Sequence, residues 1–224
     1  MYMKGIGVFD VMGPIMIGPS SSHTAGAERL GRAARSILGE EFNKVNFYLH
    51  GSFAKTYKGH GTDRALVAGI LGMETYDERI KYSFDIAKEN KIEVNFIEED
   101  LGEVHPNTVK IEFVKDDESK SFIIGSSIGG GSIAVINIDG EDVYFTGEYP
   151  TLIIKYKDKK GMISKISLAI ALGDINIATL KVDRESKGEM ATAVIETDHK
   201  VPENIIDEIS KIEGVSSVKF IDAI

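Results

Sequence analysis

The chain has 224 residues, 42% hydrophobic and 27% charged, with a net charge of −9 and a pI of about 5.1, which gives room for one large domain or two small ones. The acidic balance argues against nucleic acid and anionic membrane as partners, because phosphate binding needs clustered Lys and Arg. Cysteine is absent, which excludes disulfides, a thiol nucleophile and any thiolate-held zinc or iron–sulfur cluster on this chain.

The stretch from Met1 to His23 carries a short apolar run broken by Gly and Pro, without a basic leader or cleavage site. No signal peptide and no transmembrane helix are expected, and the cytoplasm is the expected compartment. Apolar residues at helical spacing predict a helix over 24–38, stopped by Gly39. A strand is expected over 45–50, then a glycine-punctuated loop, GSFAKTYKGHGTD, over 51–63. Thr62 or Asp63 is expected to cap a helix ending at Gly72, and a third helix is expected over 77–90. Strands follow at 92–97, 108–115, 121–125, 133–138 and 142–146, with SSIGGGS as a loop between the third and fourth. The region 1–148 therefore reads as α+β, with helices early and an antiparallel sheet late. From 149 to 224 the pattern restarts as βαββαβ, the ferredoxin-like plan, with helices at 164–172 and 202–212.

Two loops carry chemistry. In GPSSSHTAG (18–26), Ser20, Ser21, Ser22, His23 and Thr24 stand just before a helix. The first-turn N–H groups of a helix lack internal partners, so small hydroxyl residues there form a cradle for a carboxylate or phosphate. Ordinary capping by Ser22 or Thr24 needs only one or two such residues. The Gly-Lys-Ser/Thr ending of a phosphate-binding P-loop is missing. The stretch 50–63 offers His50, Ser52, Lys55, Thr56, Lys58, His60, Thr62 and Asp63 where a strand gives way to a helix, a common place for ligands. His60 with Asp63 reads as an imidazole with its orienting carboxylate or as two metal ligands; the plain alternative is a capping Asp63 and solvated lysines. His50 ranks below His60, because it ends a strand expected to be buried. Weaker signals are His105-Pro106-Asn107, otherwise a turn, and Ser126 to Gly131, otherwise a bulge.

Taken in order, GPSSSHTAGA, KTYKGHGTD, HPN and SIGGG resemble the β domain of bacterial iron–sulfur L-serine dehydratases, and the resemblance covers essentially the whole chain. The tail resembles an ACT domain, as in two-chain members of that family. The resemblance implies deamination of L-serine to pyruvate and ammonia, with a [4Fe–4S] cluster held by a cysteine-bearing α subunit and no metal on this chain. It implies that Ser20, Ser21, Ser22, Thr24, Lys58, Thr62, Asp63 and Asn107 bind substrate, and that His23, His60 or His105 moves the proton; the sequence does not choose among the three. Asp63 is set aside as a base, since a capping role is expected of it. Ser127 and Gly129 to Gly131 are expected at the entrance or an interface. The first domain's fold is expected to resemble the allosteric substrate-binding domain of some phosphoglycerate dehydrogenases.

In the ACT-like tail the turn 158–163, with Gly161 and Met162, and Asn176 on the next strand are where a small amino acid such as L-serine would bind, across a homodimer; the alternative is a dimerisation module with an empty site. The rival to the enzyme subunit is a non-catalytic serine sensor, for which carboxylate capture alone would not need the histidines.

Overall fold

The computed structural model describes residues 15–39, 41–184 and 186–224. The stretch 1–14, on which much of the leader reading rests, lies outside them. The described residues form two compact units divided between Glu141 and Asp142, inside the last strand of the first unit's sheet. The expected boundary after Glu148 falls in the irregular stretch that precedes the second unit's sheet.

In the first unit a π-helical turn (Ser21–Ala25) leads into α1 (Gly26–Leu38). Then come β1 (Lys44–Leu49), α2 (Gly51–His60), α3 (Thr62–Ile70), a 3-10 turn (Glu78–Tyr82) and α4 (Ser83–Glu89). The strands β2 (Glu93–Glu98), β3 (Thr108–Val114), β4 (Lys120–Gly129), β5 (Ser132–Ile138) and β6 (Glu141–Phe145) follow. They lie in one six-stranded sheet in the order β2-β1-β3-β4-β5-β6. β1 and β2 pair in parallel, with Phe47 opposite Phe96, while β1-β3, β3-β4 and β4-β5 are antiparallel. α1 turns Ala27, Leu30, Ala33, Ala34, Ile37 and Leu38 inward, a full apolar stripe. It crosses α3 where two glycines meet. A Cβ on Gly31 would sit 2.5 Å from the Leu66 carbonyl oxygen, and one on Gly69 would sit 2.1 Å from that of Glu28, so neither position accepts a side chain.

Four expectations need correction. Residues 51–60 are a helix, not a loop: the Pro106 carbonyl takes the Ser52 N–H at 2.8 Å and anchors the first turn. Gly59 is absorbed in the last turn, and left-handed Gly61 (φ 70°) is the joint to α3. Gly61 is also the N-cap of α3, so neither Thr62 nor Asp63 caps that helix; Asp63 instead accepts from the Arg64 N–H at 2.8 Å. β4 runs through Ser126 and Ser127 to Gly129, so the expected loop shrinks to the tight turn at Gly130 and Gly131. The expected third helix is divided into the 3-10 turn, capped by Asp77, and α4.

The second unit contains β7 (Thr151–Lys157), α5 (Met162–Leu172), β8 (Ile177–Arg184), β9 (Met190–Thr197), α6 (Glu203–Ser210) and β10 (Val215–Ile221). The sheet order β10-β7-β9-β8 is the ferredoxin-like arrangement. Its core joins Leu152, Ile154 and Tyr156 of β7 to Ile166 and Ile170 of α5, and to Ile205 and Ile209 of α6. Among the described residues no helix is long and apolar enough to cross a membrane.

Candidate active site

The first unit gathers its polar side chains where β1 gives way to α2 and the π turn enters α1. Ser20 is extended (φ −143°), and its side chain accepts the His23 N–H at 3.2 Å, so Ser20 is the cap rather than Ser22 or Thr24. That fixes the His23 backbone. The His23 ring lies along α2: Nε2 is 3.2 Å from Ser52 Oγ, and Nδ1 is 3.5 Å from Ser20 Oγ. Its edge also meets Phe53, with ring centroids 5.4 Å apart, and His60, at 4.8 Å and 86°. Burial and the neighbouring His60 hold the His23 pKa below the usual imidazole value, so it is neutral at pH 7. If the Ser20 hydroxyl turns to Nδ1, Nε2 carries the proton and donates to Ser52.

His60 is exposed at the last turn of α2, and its ring nitrogens have no hydrogen-bond partner among the described residues. The imidazole–carboxylate pair expected with Asp63 is not formed there. Asp63 is half-buried, and burial raises its carboxyl pKa against the opposing pull of Arg64. Lys58 is exposed, its ammonium 5.5 Å from the centre of the Tyr57 ring. Among the described residues no three His, Asp or Glu side chains are placed to hold a metal ion.

The His105-Pro106-Asn107 turn is pinned at three consecutive carbonyls. Thr108 Oγ1 donates to His105 O at 2.6 Å, the Ser52 N–H to Pro106 O at 2.8 Å, and the Ser127 N–H to Asn107 O at 2.9 Å. The Asn107 N–H also donates to His105 Nδ1 at 3.1 Å, so the neutral ring carries its proton on Nε2. Ser52 therefore binds His23 through its side chain and the His105 turn through its backbone. His50 stands apart, its Nδ1 accepting the Leu101 N–H at 3.1 Å.

Four buried side chains carry polar atoms with no hydrogen-bond partner among the described residues: Thr24, Glu28, Thr62 and Ser127. Thr24 belongs to the π turn, against which α3, the helix that opens with Thr62, packs. Glu28 follows Thr24 by one turn, is 0% exposed, and is pushed by burial up to about 8 despite Arg32 Nε at 3.8 Å. Sequence reading did not single out Glu28, although its place between Ala27 and Leu30 on the apolar stripe of α1 was a usable signal. It noted Ser52 without choosing it.

In the second unit Asn176 borders a cavity of about 570 Å³ with Ser164, Ser167, Leu168 and Ala171, and its Nδ2 donates to Asp198 at 2.7 Å. Gly161 and Met162 do not line that cavity; Gly161 is the left-handed N-cap of α5 (φ 85°), and Met162 is buried in the core.

The model of the family described as serine dehydratase beta chain matches residues 7–137. An L-serine dehydratase beta chain of Peptoniphilus asaccharolyticus is 43% identical over 98% of this chain and 100% of its own length. A probable L-serine dehydratase beta chain of Bacillus subtilis is also 43% identical, over 96% of this chain and 98% of its own length. A D-3-phosphoglycerate dehydrogenase of Methanocaldococcus jannaschii is 28% identical over 88% of this chain and 37% of its own. Among solved structures, the ACT domain of a GTP pyrophosphokinase of Chlorobium tepidum covers 32% of this chain and 95% of its own, with 24% identity and a TM-score of 0.28.

Proposed function

We propose, from the premise that this chain belongs to the serine dehydratase beta chain family, that it supplies the histidine-bearing wall of an L-serine dehydratase active site. The observation that carries the reading is the His23–His60 contact. Both nitrogens of His23 face hydroxyls, whereas those of His60 have no partner among the described residues. His60 is accordingly assigned as the base that takes the α-proton of L-serine, and neutral His23 beside it keeps a second positive charge away. Ser20, Ser21, Ser22 and Thr24, at the entry to α1, receive the substrate carboxylate, helped by the positive end of the helix. Lys58, Thr62, Asp63 and Asn107 complete the wall, and His105 presents an Nε2–H donor.

The residues of this chain do not fit an iron–sulfur cluster, since cysteine is absent and no metal-holding group of three stands among the described residues. The proposal places a [4Fe–4S] cluster on a cysteine-bearing alpha chain, where it would supply Lewis acidity toward the substrate hydroxyl. The assembly is cytoplasmic, with the beta chain paired to a second copy. In the ferredoxin-like unit the cavity beside Asn176 takes a small amino acid.

Anaerobic pyruvate formation from L-serine tests this, with the chain alone, with a cluster-loaded alpha chain, and with a His60→Ala variant plus that partner. Activity that needs the partner and is lost in the variant supports the assignment. Serine binding without turnover in the loaded pair overturns it in favour of a sensor. Equilibrium dialysis of the full chain, with and without Asn176→Ala, tests the second cavity; serine retention unaffected by the substitution removes it as a binding place.

A further inference from the structure

We infer that two buried hydroxyls outside the proposed substrate wall, Ser126 and Thr108, form a polarised chain that positions His105; the inference rests on the assignment of His105 to that wall. Thr108 is 0% exposed and Ser126 3%. Thr108 Oγ1 lies 2.6 Å from the His105 carbonyl oxygen and 2.7 Å from Ser126 Oγ. A carbonyl only accepts, so the single hydroxyl hydrogen of Thr108 goes to His105, and Ser126 must donate to Thr108. The order Ser126→Thr108→His105 follows by elimination. Each donation strengthens the next in so dry a place.

The chain acts on the imidazole through the turn. Thr108 holds the His105–Pro106 peptide by its carbonyl, and the next peptide, whose Pro106 carbonyl accepts from the Ser52 N–H at 2.8 Å, carries the Asn107 N–H that occupies His105 Nδ1 at 3.1 Å. It thereby sets the neutral tautomer, with the proton on Nε2. The strand that carries Ser126 also sends the Ser127 N–H to the Asn107 carbonyl at 2.9 Å, so β4 grips the turn at both ends. Ser126 and Thr108 are positioning residues, since neither reaches the open face of the site.

The test uses nitrogen-15 NMR of the His105 ring in the chain alone, and kinetics of the assembled enzyme. Thr108→Val should turn a single Nε2–H tautomer into a mixture and lower kcat about tenfold, with KM little changed. Thr108→Ser, which keeps the hydroxyl, should restore both. Should Thr108→Val fail to fold, Ser126→Ala carries the test, with partial tautomer mixing and a kcat loss of about threefold. A single tautomer in Thr108→Val, or in Ser126→Ala where that variant stands in, overturns the inference. So does a Thr108→Ser variant as impaired as Thr108→Val, which would mark a packing role alone. Tautomer mixing in Thr108→Val together with unchanged kcat in His105→Ala would uphold the positioning and overturn the role of His105 instead.

Discussion

The two units differ in how fully they satisfy their buried polar groups. In the ferredoxin-like unit the buried Thr151 and Thr197 are both satisfied: Thr151 donates to the Tyr149 carbonyl at 2.9 Å, and Thr197 faces the carbonyls of Pro150 and His199 at 3.2 and 2.8 Å. In the first unit Thr24, Glu28, Thr62 and Ser127 are buried without a hydrogen-bond partner among the described residues, while Asn46, Thr75, Ser83, Thr108 and Ser126 are paired. Native interiors leave few such groups, and those that remain mark places where a fold gives up stability for function. One unit is internally consistent; the other holds polarity in reserve beside its histidines.

The sharpest way to break this contrast is to exchange one histidine in each unit. His60→Ala in the assembled enzyme should lower kcat by about a hundredfold or more, with an unchanged circular dichroism spectrum, because the ring is exposed. His199→Ala should leave kcat unaltered. Equal losses would mean that the first unit is not the chemical one.

A second, smaller effect is proton-linked. The Glu28 carboxyl is raised to about 8 in the folded chain from an ordinary 4.5. Between those values the folded state keeps a proton that the unfolded state has released. The stability that Glu28 contributes should therefore be fully present below pH 4.5, be lost as pH rises through 8, and level off above that. The slope approaches about 1.4 kcal/mol per pH unit where the proton difference is complete. Urea unfolding at a series of pH values should show this slope in the native chain and lose it in Glu28→Gln.

How much of this was legible beforehand differs by element. The ferredoxin-like unit was readable strand by strand, because its alternation and its turns agree with its packing. Residues 51–60 were not, because Gly51, Gly59 and Gly61 resemble loop punctuation. The helix depends on the Pro106 carbonyl, which comes 54 residues after Ser52 and leaves no local trace. The same holds within the site. His23 and His60 stood in conspicuous motifs, but the Ser52 hydroxyl on His23 joins residues 29 apart and belongs to tertiary structure alone.

The smallest effect has the most telling sign. Thr62→Val removes a buried hydroxyl that has no hydrogen-bond partner among the described residues, so it should leave stability unchanged or raise it by about 1 kcal/mol while lowering activity. Thr197→Val removes a satisfied one and should cost about 1 kcal/mol without touching activity. Thermal melts of the two variants measured side by side decide the matter; two losses of the same sign would dissolve the contrast between the units.

His23 touches α2 at Ser52 and again at His60, the first and last turns of one ten-residue helix. α2 is thus a ruler with a reading at each end. Inserting a single residue between those marks would carry His60 about 100° around the axis and 1.5 Å along it, away from His23. Many substitutions on the outer face of this helix should pass, but no change in its length should: the count of residues itself sets the fit.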